Sequence, residues 1–372
     1  MISLSILDVF LLIAIGQGIF IAVGLCFIKG KNTKANQILS IVLFLCTIML
    51  LGRLFYSNYG DNILLFRFGS SVDTIIFLIG PLIYIYLKTT VFVDNSWKTS
   101  YFLMFIPAIL HLGFVLWCLS LTGDIYIDLL SKGSFNSIFF LTELFGLLCN
   151  FYFCFKSLLL LQDYAIRAEQ NLAFKQAVLT YMRYFLLIYI FVIVIWFICF
   201  IGIYVFSTGF QYINYNLIWI VIPVMFFLIG FYSLRQPEVF QVPMIEKKTS
   251  TYVRTDEIES KRLQEALEHW LGKEKLYREH NLTLTRMAEL SNTTSNNLSW
   301  LLNQVHKSSF YEFINRYRIA EFLDRIDRGH HKEYTIRAIS YDVGFNSKSS
   351  FYKAFKMHLG KTPSEYIKQL EV

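Results

Sequence analysis

Four lysines and no acidic residue lie between Val343 and Pro363, on and around one predicted helix: Lys348, Lys353, Lys356 and Lys361. A one-sided cluster of positive side chains is the electrostatic footprint of a phosphate backbone, because lysines that meet phosphates release condensed counterions. The chemistry predicted for this segment is therefore nucleic-acid binding. A merely solvated lysine surface is the alternative interpretation, and it applies most to Lys356 and Lys361.

Two predicted helices position these lysines. The spacing of apolar residues predicts a short helix near 336–343, and Gly344 can end it because glycine adopts a positive φ at the lowest cost. Ser347 can cap a second helix, which we expect to run to about Leu359. Two helices joined by a tight turn form a helix-turn-helix unit.

The same pattern occurs once more, earlier in the chain. Apolar spacing predicts helices at 284–290 and 295–305 with a short polar turn between them, and a longer helix at 309–325 that joins the two units. That joining helix would be about 25 Å long. Two recognition helices at this separation are compatible with successive major grooves of DNA. One copy of the chain could then span both grooves, so a homodimer is left open but is not required.

The residues of the second unit resemble a known family. The segment from Gly344 to Tyr366, GFNSKSSFYKAFKMHLGKTPSEY, is similar to the signature of AraC-type transcription regulators. In the first unit, Phe310–Arg318 (FYEFINRYR) together with Leu298-Ser299 and Asn303 is similar to the first half of the same domain. The resemblance covers roughly 259–370. Membrane-anchored members of this family share the general architecture of the chain.

The resemblance implies which side chains meet DNA. The implied base-facing residues are Asn296, Ser299 and Trp300 in the first unit and Lys348, Ser349 and Lys353 in the second. Asparagine can read adenine and lysine can read guanine, and Lys356 joins this set through the lysine cluster. The implied partners are double-stranded promoter DNA and RNA polymerase. Two departures from the family pattern are Lys307, where a glycine is usual, and Ser340, where an alanine is usual.

The composition divides the chain into two parts that suit different solvents. Only 16% of all residues are charged and 55% are hydrophobic, which disfavours an ordinary soluble enzyme. Residues 1–234 hold 21 charged residues, whereas the 138 residues from 235 onward hold 40. The sequence therefore predicts a membrane domain at 1–234, a linker at 235–258 that contains Pro237 and Pro243, and a DNA-binding domain at 259–372.

Seven apolar runs predict a bundle of seven transmembrane helices: 4–28, 38–56, 72–87, 101–121, 138–161, 184–206 and 213–234. Nine lysines and arginines fall in the loops on one side, against Arg67 and Lys132 on the other. Because positive loops stay in the cytoplasm, the N-terminus is predicted outside and the C-terminal domain inside. The predicted location is the inner membrane of a bacterium, where the protein would be multi-pass.

Ionisable residues within the apolar runs could form a ligand pocket: Arg53, Asp73, His111 and Glu143. Such groups are costly in lipid, so they usually face the bundle interior. One interpretation is an outward-facing pocket for a small-molecule or peptide signal. The alternative is pairing between helices, for example of Arg53 with Asp73 or Glu143. All six cysteines lie in residues 1–234 without metal-ligand spacing, so no metal site and no cofactor are predicted.

The sequence as a whole predicts an all-α protein with a seven-helix transmembrane bundle, followed by a soluble domain of two helix-turn-helix units. No catalytic constellation is found, so we expect a DNA-binding transcription regulator rather than an enzyme. A signal sensed by the spans would reach the DNA-binding domain through the last apolar helix and the linker. One alternative is a transporter or channel with a regulatory DNA-binding domain, and another is a bundle that only anchors the regulator.

Overall fold

The structure is a computed structural model that describes residues 5–28, 33–58, 62–92, 100–173, 177–206, 215–235 and 257–370. The described residues are helical and contain no strand, as predicted. The chain forms two compact units: Met1–Gln162 with Val178–Glu246, and Asp163–Ala177 with Lys247–Val372. Nearly all of the predicted linker, 236–256, lies outside the described residues.

The first unit is built from long apolar helices. They are α1 (Ile6–Phe27), α2 (Thr33–Asn58), α3 (Ile63–Ser71), α4 (Ile76–Val91), α5 (Ser100–Leu103), α6 (Ile106–Ser120), α7 (Gly123–Ser131), α8 (Asn136–Asn171), α9 (Ala177–Tyr204) and α10 (Asn216–Arg235). Apolar side chains cover much of their outer surface, with Ile6, Phe20 and Phe27 each more than three-quarters exposed. Exposed residues of this type are what a helix in contact with lipid presents.

The described residues contain fewer membrane-spanning helices than the seven that the sequence predicts. Five helices are long and apolar enough to cross a membrane, or six if the α6–α7 pair, which is bent by 116°, counts as one span. The predicted run 101–121 is interrupted between α5 and α6, where Pro107 lies in the first turn of α6. In α10, the part whose side chains the structure describes, Asn216–Ile229, is shorter than a full span. Counting apolar residues misses such breaks, because hydropathy does not report where the backbone bends.

The second unit contains seven α-helices in its described residues after the end of α8: α11 (Glu257–Glu268), α12 (Leu284–Leu290), α13 (Ser295–Gln304), α14 (Phe310–Asp327), α15 (Ile336–Asp342), α16 (Lys348–Leu359) and α17 (Pro363–Leu370). The predicted bounds of α12 to α16 agree to within about two residues, and those of α12 agree fully. The predictions succeed because these five helices each begin at a side-chain cap: Thr283, Thr294, Ser309, Thr335 and Ser347.

Helix α14 connects two separate hydrophobic cores. Its first half supplies Phe310, Phe313 and Ile314 to a core with α11, α12 and α13. Its second half supplies Ile319, Phe322 and Ile326 to a core with α15 and α16. Since one rigid helix belongs to both cores, it sets the distance between the two helix-turn-helix units. Its 18 residues correspond to about 27 Å.

Candidate nucleic-acid interface

The first helix-turn-helix unit consists of α12 and α13. Thr294 caps α13 by accepting a hydrogen bond from the N–H of Asn297 at 3.2 Å. In the turn before it, Asn292 adopts a left-handed φ of +50°, which asparagine tolerates better than most residues. Ala288 is buried where the two helices pack. The residues that form the turn are therefore close neighbours in the sequence, where their types can be read directly.

The three predicted DNA-contacting residues of α13 share one face of that helix, because 296, 299 and 300 are spaced by three and four residues. All three are partly exposed. Ser299 accepts a hydrogen bond from Asn303 at 3.2 Å, which orients its hydroxyl group. Trp300 packs against the first core, so only part of its indole is open to a ligand. Their role in DNA binding stays a prediction.

The turn after α13 accommodates the unusual Lys307. Its φ is +48°, in the left-handed region where a glycine is favoured. The departure from the family pattern therefore leaves the turn in place, at the cost of a strained lysine backbone. The next helix begins two residues later with a capping box, in which Ser309 and Glu312 bond to each other's backbone N–H groups.

The second helix-turn-helix unit, which consists of α15 and α16, depends on Gly344. Its φ is +107°, and a Cβ atom added there would lie 2.5 Å from the carbonyl oxygen of Tyr277. Both the backbone conformation and the close approach require glycine at this position. Ser347 then caps α16 by accepting from the N–H of Ser350 at 3.2 Å. Both sequence predictions for this turn, the glycine and the serine cap, are confirmed.

The four predicted DNA-contacting residues of α16 are all exposed: Lys348, Ser349, Lys353 and Lys356. The opposite face is buried through Phe351, Ala354 and Phe355. Because 349, 353 and 356 are spaced by four and three residues, they form one polar face. The ammonium of Lys348 lies 5.2 Å from the ring centre of Tyr352, and that of Lys353 lies 5.9 Å from the ring centre of Tyr311. The structure thus presents an exposed basic face with aromatic neighbours.

An ion network centred on the buried carboxylate of Glu321 supports α14. Glu321 is only 6% exposed and pairs with Lys275, Arg278 and Arg325. Burial alone would raise the pKa of Glu321, but the hydrogen bonds it accepts, led by that from Arg278, lower this pKa to about 2. The carboxylate is therefore ionised throughout the physiological range and ties the segment before α12 to α14.

Sequence reasoning missed Arg318, the largest fully buried side chain of the described residues. Its guanidinium donates to the carbonyl oxygens of Tyr277, Glu279 and Ala173. Burial lowers its pKa to about 10, so it remains cationic at neutral pH. One signal could have found it: 310, 314, 318 and 322 recur every four residues, which places a charged side chain on the apolar stripe of α14.

The candidate ligand residues of the first unit are only partly brought together. Asp73 and His111 line one cavity of about 30 Å³, which has room for one or two water molecules. His111 also bonds to the hydroxyl of Thr74 at 2.8 Å. Glu143 instead accepts from Tyr204 and Tyr215.

Arg53 lies apart from this cavity. It donates to Asn216 Oδ1 at 3.1 Å, so the suggested pairing of Arg53 with Asp73 or Glu143 is not found. Arg53 and Asn216 belong to α2 and α10, which pack against each other. Three of the four candidate ligand residues, Arg53, His111 and Glu143, thus hydrogen-bond to neutral side chains.

Comparison with known proteins supports the interpretation of the second unit. A family model described as a helix-turn-helix domain matches residues 287–369, which begin within α12 and end within α17. No curated protein and no solved structure matches the chain. The family match supports the resemblance to AraC-type regulators, and with it a DNA-binding transcription regulator that binds double-stranded DNA. Regulators of this kind are generally not enzymes.

Proposed function

We propose that the chain is a membrane-embedded, sequence-specific transcription regulator of a bacterium. The second unit binds double-stranded promoter DNA and works with RNA polymerase, while the first unit lies in the inner membrane. One observation carries the proposal: a doubled helix-turn-helix with an exposed lysine face belongs to the same chain as five apolar helices of membrane-spanning length. The lipid bilayer and the promoter are thus both partners of one polypeptide.

Loop charges support an orientation for this arrangement. Nine lysines and arginines in the loops on one side, against two on the other, favour an N-terminus outside and a C-terminal unit in the cytoplasm. Such an orientation needs an odd number of crossings. With an odd number, the end of α8, which belongs to the DNA-binding unit, lies on the same side as the C-terminus only if the α6–α7 pair and α10 also cross, which makes seven crossings. The DNA-binding unit would then share a compartment with the chromosome.

A signal would act on the polar residues of the first unit. Asp73 and His111 share a cavity, and Glu143 holds two tyrosines on neighbouring segments. This cavity has room only for water, but His111 also lines a larger apolar cavity of about 850 Å³ with Phe77 and Leu110, which has the volume of a small-molecule site. A ligand that favours one state of the bundle shifts its population by the difference in affinity for the two states.

The DNA-binding half of the proposal is tested with the purified full chain in detergent. Duplexes are selected from a random 30-base-pair pool, and the dissociation constant is measured for the best sequence and for a scrambled one. We expect Lys348→Ala to weaken binding about ten-fold, as loss of a base or phosphate contact does. Lys332→Ala removes an exposed lysine outside both helix-turn-helix units and should leave binding unchanged. Equal effects of the two substitutions would contradict the placement of the interface.

The membrane half is tested separately. Cell membranes are washed with alkaline carbonate, and a fluorescent-protein fusion at the C-terminus is compared with an alkaline-phosphatase fusion at the same point. We expect the chain to stay in the pellet, the fluorescent fusion to be bright and the phosphatase fusion to be inactive. Release by carbonate, or an active phosphatase fusion, would overturn the proposed location.

A further inference from the structure

The end of helix α8 belongs to the DNA-binding unit. We call residues Asp163–Ala173 the α8 tail; they group with the second unit, although α8 begins in the first. Leu172 and Ala173 are 3% and 1% exposed, and Ala173 is a member of the first hydrophobic core. The N–H of Ala173 donates to the carbonyl oxygen of Leu282 at 3.1 Å. The tail is therefore packed into the unit and does not lie loosely on its surface.

Arg318 holds this tail in place. Its buried guanidinium donates to Ala173 O at 2.8 Å, and also to Tyr277 O at 2.7 Å, Glu279 O at 2.8 Å and Asn315 Oδ1 at 3.2 Å. Hydrogen bonds from a charged donor are roughly twice as strong as neutral ones. Because three carbonyl groups converge on one cation, the position of Ala173 is coupled to the segment that precedes α12.

The anchored tail places an acidic side chain on the DNA-binding face. Glu169 lies one helical turn before Ala173, and its Oε1 is 3.4 Å from Nζ of Lys353. Lys353 lies on the exposed face of α16 together with Ser349 and Lys356. The carboxylate of Glu169 pairs with the ammonium group of Lys353 and brings negative charge to the surface that DNA phosphates must approach.

We propose that the α8 tail is an internal competitor for DNA, in which Glu169 occupies Lys353 until the tail moves. The proposal rests on the proposed function, since it assigns a control element to that same DNA-binding face. It also provides a route from the first unit that is distinct from α10 and the linker, because α8 is one continuous helix from Asn136 to Asn171. Any shift of its end changes the access of DNA to Lys353.

The other acidic residue of the tail has a different environment and serves as a matched control. Asp163 pairs with Arg167 at 2.9 Å, four residues along the same helix. The opposite charges of Asp163 and Arg167 therefore cancel within the tail itself. Glu169 is paired instead with a residue of the DNA-binding face, so only its charge is expected to compete with DNA.

The expected effect is modest. Both side chains of the Glu169–Lys353 pair are about half exposed, and exposed ion pairs contribute little. Loss of the competing carboxylate should therefore tighten DNA binding by roughly two- to five-fold. A weak contact of this size suits a control element, since a small displacement of the helix end is sufficient to release it.

The experiment uses the full chain in detergent and a duplex that the wild-type chain has selected from a random 30-base-pair pool. We expect Glu169→Gln to lower the dissociation constant two- to five-fold and Asp163→Asn to leave it unchanged. In the Lys353→Ala background, Glu169→Gln should have no effect, because its target is gone. The gain from Glu169→Gln should also shrink as salt rises from 50 to 300 mM, since salt screens exposed charges.

Three results would overturn the inference: no change with Glu169→Gln, an equal gain with Asp163→Asn, or a gain that persists in the Lys353→Ala background. The last two would show a general effect of negative charge instead of competition at one lysine. Failure of the proposed function looks different, because the wild-type chain would then select no duplex from the pool at all.

Discussion

The guanidinium of Arg318 donates a hydrogen bond to the carbonyl oxygen of Ala173, 145 residues earlier in the chain, over a distance of 2.8 Å. The bond joins the end of α8 to the helix that connects both helix-turn-helix units. It makes the DNA-binding unit discontinuous in sequence. A fragment that starts at 235 or later lacks one of the three carbonyl partners of this arginine.

Arg318→Ala should destabilise the second unit by about 3 kcal/mol or more, because three buried carbonyl groups lose their donor. Arg328→Ala is the control, since its guanidinium pairs with Asp324 in an exposed position, and it should cost less than about 1 kcal/mol. The measurement is urea unfolding of the full chain in detergent, followed by circular dichroism. Similar losses for the two variants would show that the buried arginine does not carry this stability.

Gly344→Ala should be far more damaging than Gly360→Ala. At Gly344 a Cβ atom would lie 2.5 Å from Tyr277 O and 2.9 Å from Arg278 Cα, both of which are backbone atoms. Gly360 also has a positive φ, of +74°, but its Cβ would meet nothing within 4 Å. We therefore expect about 1 kcal/mol for Gly360→Ala and at least twice that for Gly344→Ala in the same urea assay.

Acid should weaken the second unit through Glu321. Its pKa falls from an ordinary value of 4.5 to about 2 in the folded state, so the folded state binds its proton less readily than the unfolded state. The stabilisation is present above pH 4.5 and is lost as pH falls from about 4.5 to 2, with a total of about 3 kcal/mol.

Glu321→Gln should flatten this part of the pH dependence of the free energy of unfolding, measured in urea between pH 2 and pH 7. Glu333→Gln is a control, because Glu333 is exposed in the loop before α15. An unchanged acid limb in Glu321→Gln would assign the acid sensitivity to another group.

Lys353→Ala and Lys356→Ala should differ in how they weaken DNA binding. If Lys353 reads a base, its loss costs about 1–3 kcal/mol on the selected duplex and relaxes specificity at one position. If Lys356 meets only phosphate, its loss weakens selected and scrambled duplexes alike and reduces the salt slope by about one. Dissociation constants for both duplexes across a salt series distinguish the two cases. Wild-type affinity of Lys353→Ala at every salt concentration would show that α16 does not face DNA in the proposed way.

The sequence predicted more of the candidate site in the second unit than in the first. Thr294, Ser347 and Gly344 act within a few residues of themselves, so their caps and turn could be predicted from local chemistry. The spacing of lysines on α16 likewise predicted which side chains would be exposed. In the first unit, the polar residues could be identified but not paired, because the partners of Arg53 and Glu143 lie on helices distant in sequence.

By itself, the sequence determined the helical character of the described residues, the doubled helix-turn-helix and the exposure of its lysines, since these follow from short-range periodicity and capping. Only the tertiary structure decided that Ala173 completes the first core, that Arg318 anchors it and that Glu169 meets Lys353. The physical reason is distance along the chain. Contacts between residues more than a hundred positions apart depend on how whole helices pack, and no local pattern records that packing.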